Sequence, residues 1–107
     1  MRHVGMARVV ATGEWIYAGS TPKSVFVVAA NYDFWYELAK ADGGLEVGEE
    51  PCLNADGLTH YVSFHGVRAD GSFWPDSAGF HSIADAKVSA ESRLPSPVVW
   101  CQPEPGE

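Results

Sequence analysis

Four histidines, two cysteines and a scatter of carboxylates are the side chains in this sequence equipped for chemistry. Their spacing matches none of the arrangements that concentrate such groups locally. There is no GxxxxGK(S/T) or GxGxxG loop to cradle a phosphate, no GxSxG elbow to raise a nucleophile, and no HExxH, CxxC or calcium-loop pattern to hold a metal. Any site must therefore converge from distant positions. His60, His65 and His81 lie in the second half of the chain together with Asp76, and a histidine beside a carboxylate is the minimal unit for general acid–base work.

Each candidate has a structural reading beside the chemical one. His60 alternates with Val62 and Phe64, so it reads as a hydrogen-bonded core histidine, whereas His65 points to the other face of the same strand. A three-histidine metal site would need a bulge to reunite them, and no metal or other cofactor is expected. Cys101 ends an apolar run and lacks electropositive neighbours in sequence; it and Cys52 both read as inert thiols. Trp35 and Tyr36, adjacent on a helix, read as ordinary packing. Glu46, Glu49 and Glu50 crowd one loop without the ordered oxygen spacing of a cation site.

The elements that must position these groups follow from pattern. Val9–Ala11 and Trp15–Tyr17 suggest two short strands or one bent strand, and Val25–Ala30 runs apolar without alternation, as a strand covered on both faces does. Asp33 caps a helix expected over 34–42, closed by Gly43-Gly44. Leu45–Val47 could form a short edge strand. Leu58–Val67 alternates as a strand, and Asp70-Gly71 signals a two-residue hairpin that returns through Phe73 and Trp74 until Pro75. Ser82, with Asp85 three residues on, opens a helix over 82–93; Pro95 and Pro97 stop it, and Val98–Cys101 is a final short strand.

These elements give one α+β domain over residues 1–107 with a frayed tail at 102–107. The architecture expected is two-layer, a mixed or antiparallel β-sheet with two helices on one face. From Val25 onward the order can be read as β-α-β-β-α-β, ferredoxin-like, with an N-terminal extension. The core should contain Phe26, Val28, Phe34, Leu38, Val62, Phe64, Ile83, Ala86 and Ala90.

At 107 residues with 46% hydrophobic side chains and four tryptophans, such a domain can fill a core without disulfides. A net charge of −7 and singly scattered Lys and Arg disfavour nucleic acid, and the lack of a long apolar run disfavours a membrane and a secretory leader. We expect a cytoplasmic protein, non-enzymatic, binding a small apolar or aromatic ligand or a protein partner and acting as a homodimer. Two other functions fit the sequence: a small enzyme built on a His/Asp pair, and an acidic inhibitor or immunity-like protein that neutralises a basic partner through its glutamates. With a two-residue loop at Asp70-Gly71, Val67 faces Trp74 and His65 faces Asp76. Tyr61, His65, Val67, Trp74 and Asp76 would then share one sheet face, and these five are the candidate ligand-binding residues; no catalytic or metal-binding residues are assigned.

Overall fold

The computed structural model describes residues 6–101, which excludes the tail at 102–107 and the first five residues. The chain builds β1 (Ala7–Tyr17), β2 (Thr21–Ala30), α1 (Phe34–Ala41), β3 (Thr59–Ser63), α2 (Ile83–Arg93) and β4 (Val99–Trp100). The strands form one antiparallel sheet in the order β3-β2-β1-β4, so the α+β class with an antiparallel sheet and two helices stands as the sequence indicated. The ferredoxin-like order is not reproduced. The two N-terminal apolar runs are a single strand, joined to β2 by a tight turn over residues 18–20.

That hairpin pairs Tyr17 with Thr21 and Ala7 with Ala30, its register shifted once between Val9 and Ala11. Because a bulge adds a residue to one strand, it restores Ala11, Gly13 and Trp15 to the face that carries Val25 and Val27. On the far side β2 pairs with β3 through Val27 with Val62 and Val28 with Tyr61. Neighbouring residues of β2 thus belong to opposite faces, and both faces are covered, which is why this strand reads as an unbroken apolar run. Val25, Val27, Val28, Ala29 and Ala30 are all buried.

The cover differs on the two sides, and this separates the helices. Ala86 and Ala90 of α2 pack with Val25, Val27 and Val62, while Phe34 at the start of α1 packs with Val28, Ala30, Tyr61 and Phe73. Side-chain alternation along β2 and β3 places these clusters on opposite faces, so the helices do not share one face as expected from the sequence. Small residues on α2 let it approach the sheet closely, and its last turns clamp β4. Lys87 Nζ lies 5.1 Å from the centre of the Trp100 ring, and Glu91 accepts a hydrogen bond from Trp100 Nε1 at 2.8 Å. Gly13 makes room underneath: a Cβ there would come within 2.6 Å of Val98 and 2.8 Å of Trp100. Of the expected core, Leu38 and Ile83 are exposed, because α1 buries only Phe34 fully and Ile83 sits in the first turn of α2. Phe26 and Phe64 are half-buried.

β3 is shorter than its alternating pattern suggested, and Leu45–Val47 forms no strand. Past Ser63 the chain turns and runs back along the outer edge of β3. His60 and Phe80 exchange both backbone hydrogen bonds at 2.8 Å, and Asp76 N–H donates to the Val62 carbonyl at 2.8 Å. The edge that would otherwise expose unpaired backbone is thereby closed.

Two tests follow. Tyr61 is fully buried, and burial, with the Asp33 carboxylate nearby, raises its hydroxyl well above the ordinary value of 10.0. A proton held more tightly in the folded state makes stability full below pH 10 and falling above it, as the unfolded chain ionises first. Denaturant titrations should show Tyr61→Phe less stable by about 1–3 kcal/mol at neutral pH, with a shallower loss above pH 10 than the parent. Gly13→Ala should cost about 1–3 kcal/mol by overpacking, read as a lowered denaturation midpoint without a changed slope.

Candidate functional site

The five residues singled out from the sequence separate into two groups. Tyr61, Val67 and Trp74 converge on the α1 side of the sheet. His65 and Asp76 do not meet there. Asp76 Oδ2 accepts the Phe64 N–H at 2.9 Å and the Asp76 carbonyl accepts Arg93 Nη1 at 2.8 Å, so Asp76 pins the returning segment to β3 and α2. His65 is exposed, its backbone N–H bonded to Ser63 Oγ at 3.3 Å.

The register differs because the turn differs. Gly71 N–H bonds the Arg68 carbonyl and Arg68 N–H bonds the Ser72 carbonyl, both at 2.8 Å, giving a three-residue loop of Ala69, Asp70 and Gly71. Asp70 Oδ1 captures the Ser72 N–H at 3.0 Å and its hydroxyl at 2.6 Å, which holds the Asp70 carboxyl below its ordinary range. Gly71 then takes the left-handed conformation at φ 86°, the arrangement in which a turn is followed by a bulge. Arg68 therefore faces Ser72, and the pairing expected of Val67 with Trp74 and of His65 with Asp76 does not form, since the segment does not continue as a strand.

The converging residues belong to a graded aromatic cluster. Phe34 lies at its centre, its ring 5.1 Å from Trp35, 5.3 Å from Trp74 and 5.7 Å from Phe73, while Phe73 lies 5.6 Å from Tyr61. Exposure climbs outward: 0% at Tyr61, 7% at Phe73, 8% at Phe34, 37% at Trp35 and 56% at Trp74. Trp35 and Trp74 meet edge to face at 5.7 Å and 88°, a favoured geometry for aromatic pairs. Trp35 is fixed further by its Nε1–H donating to the Ser77 carbonyl at 2.9 Å. Leu38, one turn along α1, extends the same apolar surface. Val67 packs against the inner part of the cluster.

Beneath it is a polar node. Tyr61 Oη accepts the Phe34 N–H at 2.7 Å and donates to Asp33 Oδ1 at 3.3 Å. Asp33 also caps α1 by accepting the Tyr36 N–H, and its Oδ2 accepts the Cys52 N–H at 2.7 Å. The Cys52 carbonyl accepts a bond from the Thr59 hydroxyl. Cys52 Sγ lies 3.3 Å from His81 Nε2, a contact the sequence reading missed. The two residues are 29 positions apart and neither sits in a spacing motif, so only the tertiary fold reveals the pair. His60 is buried as expected, yet its Nδ1 has no hydrogen-bond partner among the described residues. Glu46, Glu49 and Glu50 lie on an exposed loop, where Glu49 Oε1 accepts the Glu46 N–H at 3.0 Å.

Among the described residues no group of three or more His, Cys, Asp or Glu side chains is arranged to hold a metal ion, and no helix is long and apolar enough to cross a membrane. No protein-family model, curated protein or solved structure matches the chain. The properties of the site rest on its own geometry, and the two carboxylate and imidazole side chains once paired by register can be told apart by substitution. Asp76→Ala should lose about 1–3 kcal/mol of stability, since the Phe64 N–H loses its acceptor, whereas His65→Ala should fall within about 0.5 kcal/mol of the parent in the same unfolding assay.

Proposed function

We propose that the chain is a non-enzymatic binding module that acts as a homodimer, with the Trp35–Leu38–Trp74 corner as its contact surface. The observation that supports this most directly is Trp74: a large indole, 56% exposed, yet held against Phe34 and Trp35. An exposed tryptophan that is already ordered loses little conformational freedom when it is covered, which is the property of an interface anchor. The grading from Tyr61 outward supplies a rigid base, so the surface is presented by the core itself. A second apolar feature, the exposed Val99 on the short edge strand β4, gives a symmetric partner a further place to pack.

Sedimentation equilibrium tests the reading. The parent should show a species heavier than 11.6 kDa, and Trp74→Ala should weaken association by about 30-fold or more, corresponding to about 2 kcal/mol at an anchor residue. Its circular dichroism should be unchanged, because the ring is more outside the fold than within it. A parent that stays at 11.6 kDa up to high concentration removes the homodimer. Association that survives Trp74→Ala moves the interface away from this corner.

A further inference from the structure

We propose that Cys52 and His81 form a nucleophilic thiol–imidazole pair that makes Cys52 a site of covalent modification by low-molecular-weight disulfides. The proposal rests on the Cys52–His81 contact and not on the proposed dimer surface. Three observations carry it: the 3.3 Å separation of Sγ and Nε2, the partial exposure of both side chains, and the fixing of both backbones. Cys52 is held by its N–H to Asp33 and by its carbonyl to Thr59, which fixes its backbone on both sides of the thiol. His81 is bracketed by Phe80, bonded twice to His60, and by Ser82, which caps α2 through the Asp85 N–H at 3.0 Å. Its own carbonyl accepts Asn54 Nδ2 at 2.9 Å. Asn54 thus ties the Cys52 segment directly to His81, and a thiol within hydrogen-bond reach of an imidazole that can take its proton is the arrangement that activates a nucleophile.

The step balances as follows. The Cys52 thiol transfers its proton to His81 Nε2, and the thiolate attacks one sulfur of the disulfide RSSR. A new S–S bond forms at Cys52 as the RS–SR bond breaks, and the departing thiolate takes the proton from His81. Cys52 is oxidised to a mixed disulfide, one sulfur of RSSR is reduced to the free thiol RSH, and the imidazole returns to its starting form. The Asp33 carboxylate, on the backbone side of Cys52, opposes the thiolate electrostatically, and Asp85 lies in the first turn of α2. His81 Nε2, 3.3 Å from Sγ, is the hydrogen-bond partner of the sulfur.

Cys101 supplies an internal reference, being an exposed thiol at the end of β4. Two single-thiol chains, Cys101→Ser and Cys52→Ser, are mixed at neutral pH with an aromatic disulfide whose released thiolate absorbs visibly, and the adduct with glutathione disulfide is weighed by mass spectrometry. With a base within reach to take the thiol proton, the net advantage expected for Cys52 over Cys101 is about threefold or more, despite its lesser exposure. Adding His81→Ala to the Cys101→Ser chain should abolish that advantage. His81→Gln, which keeps a polar group at the position without a base, should do the same. Cys52 reacting no faster than Cys101, or a rate indifferent to both His81 substitutions, overturns the proposal.

Discussion

The buried hydroxyl of Tyr61 is the group around which the α1 side of this molecule is organised. A phenol with no access to water must find its partners inside, and it finds the first N–H of α1 and the Asp33 carboxylate. Asp33 in turn has acceptor capacity left for the Tyr36 and Cys52 N–H groups. One polar node therefore joins β3, the start of α1 and the long segment between them. The aromatic rings stack outward from that node, so the angle at which Trp35 and Trp74 reach the surface depends on bonds made at the sheet.

Much of the fold was legible because the sequence states it redundantly. Val25–Ala30 lacks any polar residue, and a strand with that pattern has to be covered twice; Asp33 and Ser82 both cap the helices they announced, each accepting the N–H three residues on. What could not be read was how the two faces are shared. Leu38 falls at helical spacing with buried neighbours, but a short helix anchored at one end by Phe34 leaves its later turns in solvent; Ile83 likewise matches the stripe of Ala86 and Ala90, yet it sits exposed in the first turn of α2. Periodicity reports which side of a helix is apolar and not how far the helix stays against its support.

The candidate site was legible in part for a related reason. Tyr61, Val67 and Trp74 do come together on one side of the sheet, although not through the hairpin register assumed from Asp70-Gly71. The Asp70 carboxylate binding Ser72 selects a longer turn, the pairing does not continue as a strand, and Asp76 bonds Val62 and Phe64 and not His65. The Cys52–His81 contact had no signature at all, since it joins the loop after α1 to the residue preceding the cap of α2. Contacts of that kind are set by chain return and become visible only in three dimensions.

The unequal sequence separation of the strand pairs implies an order of assembly. β1 and β2 are joined across the tight turn at Ala18–Ser20, a closure of the kind that forms within about 1–10 μs. β3 must be carried back across α1 and the whole acidic loop before Tyr61 can reach Val28, and β4 comes last in the chain. Loop-closure entropy delays such long returns, so the hairpin is the early scaffold and the Asp33–Tyr61 node the late one. Until that return is made, the edge of β2 that pairs with β3 has no partner. The interval between hairpin closure and β3 docking is when this chain is most exposed to association with its own copies in a non-native register.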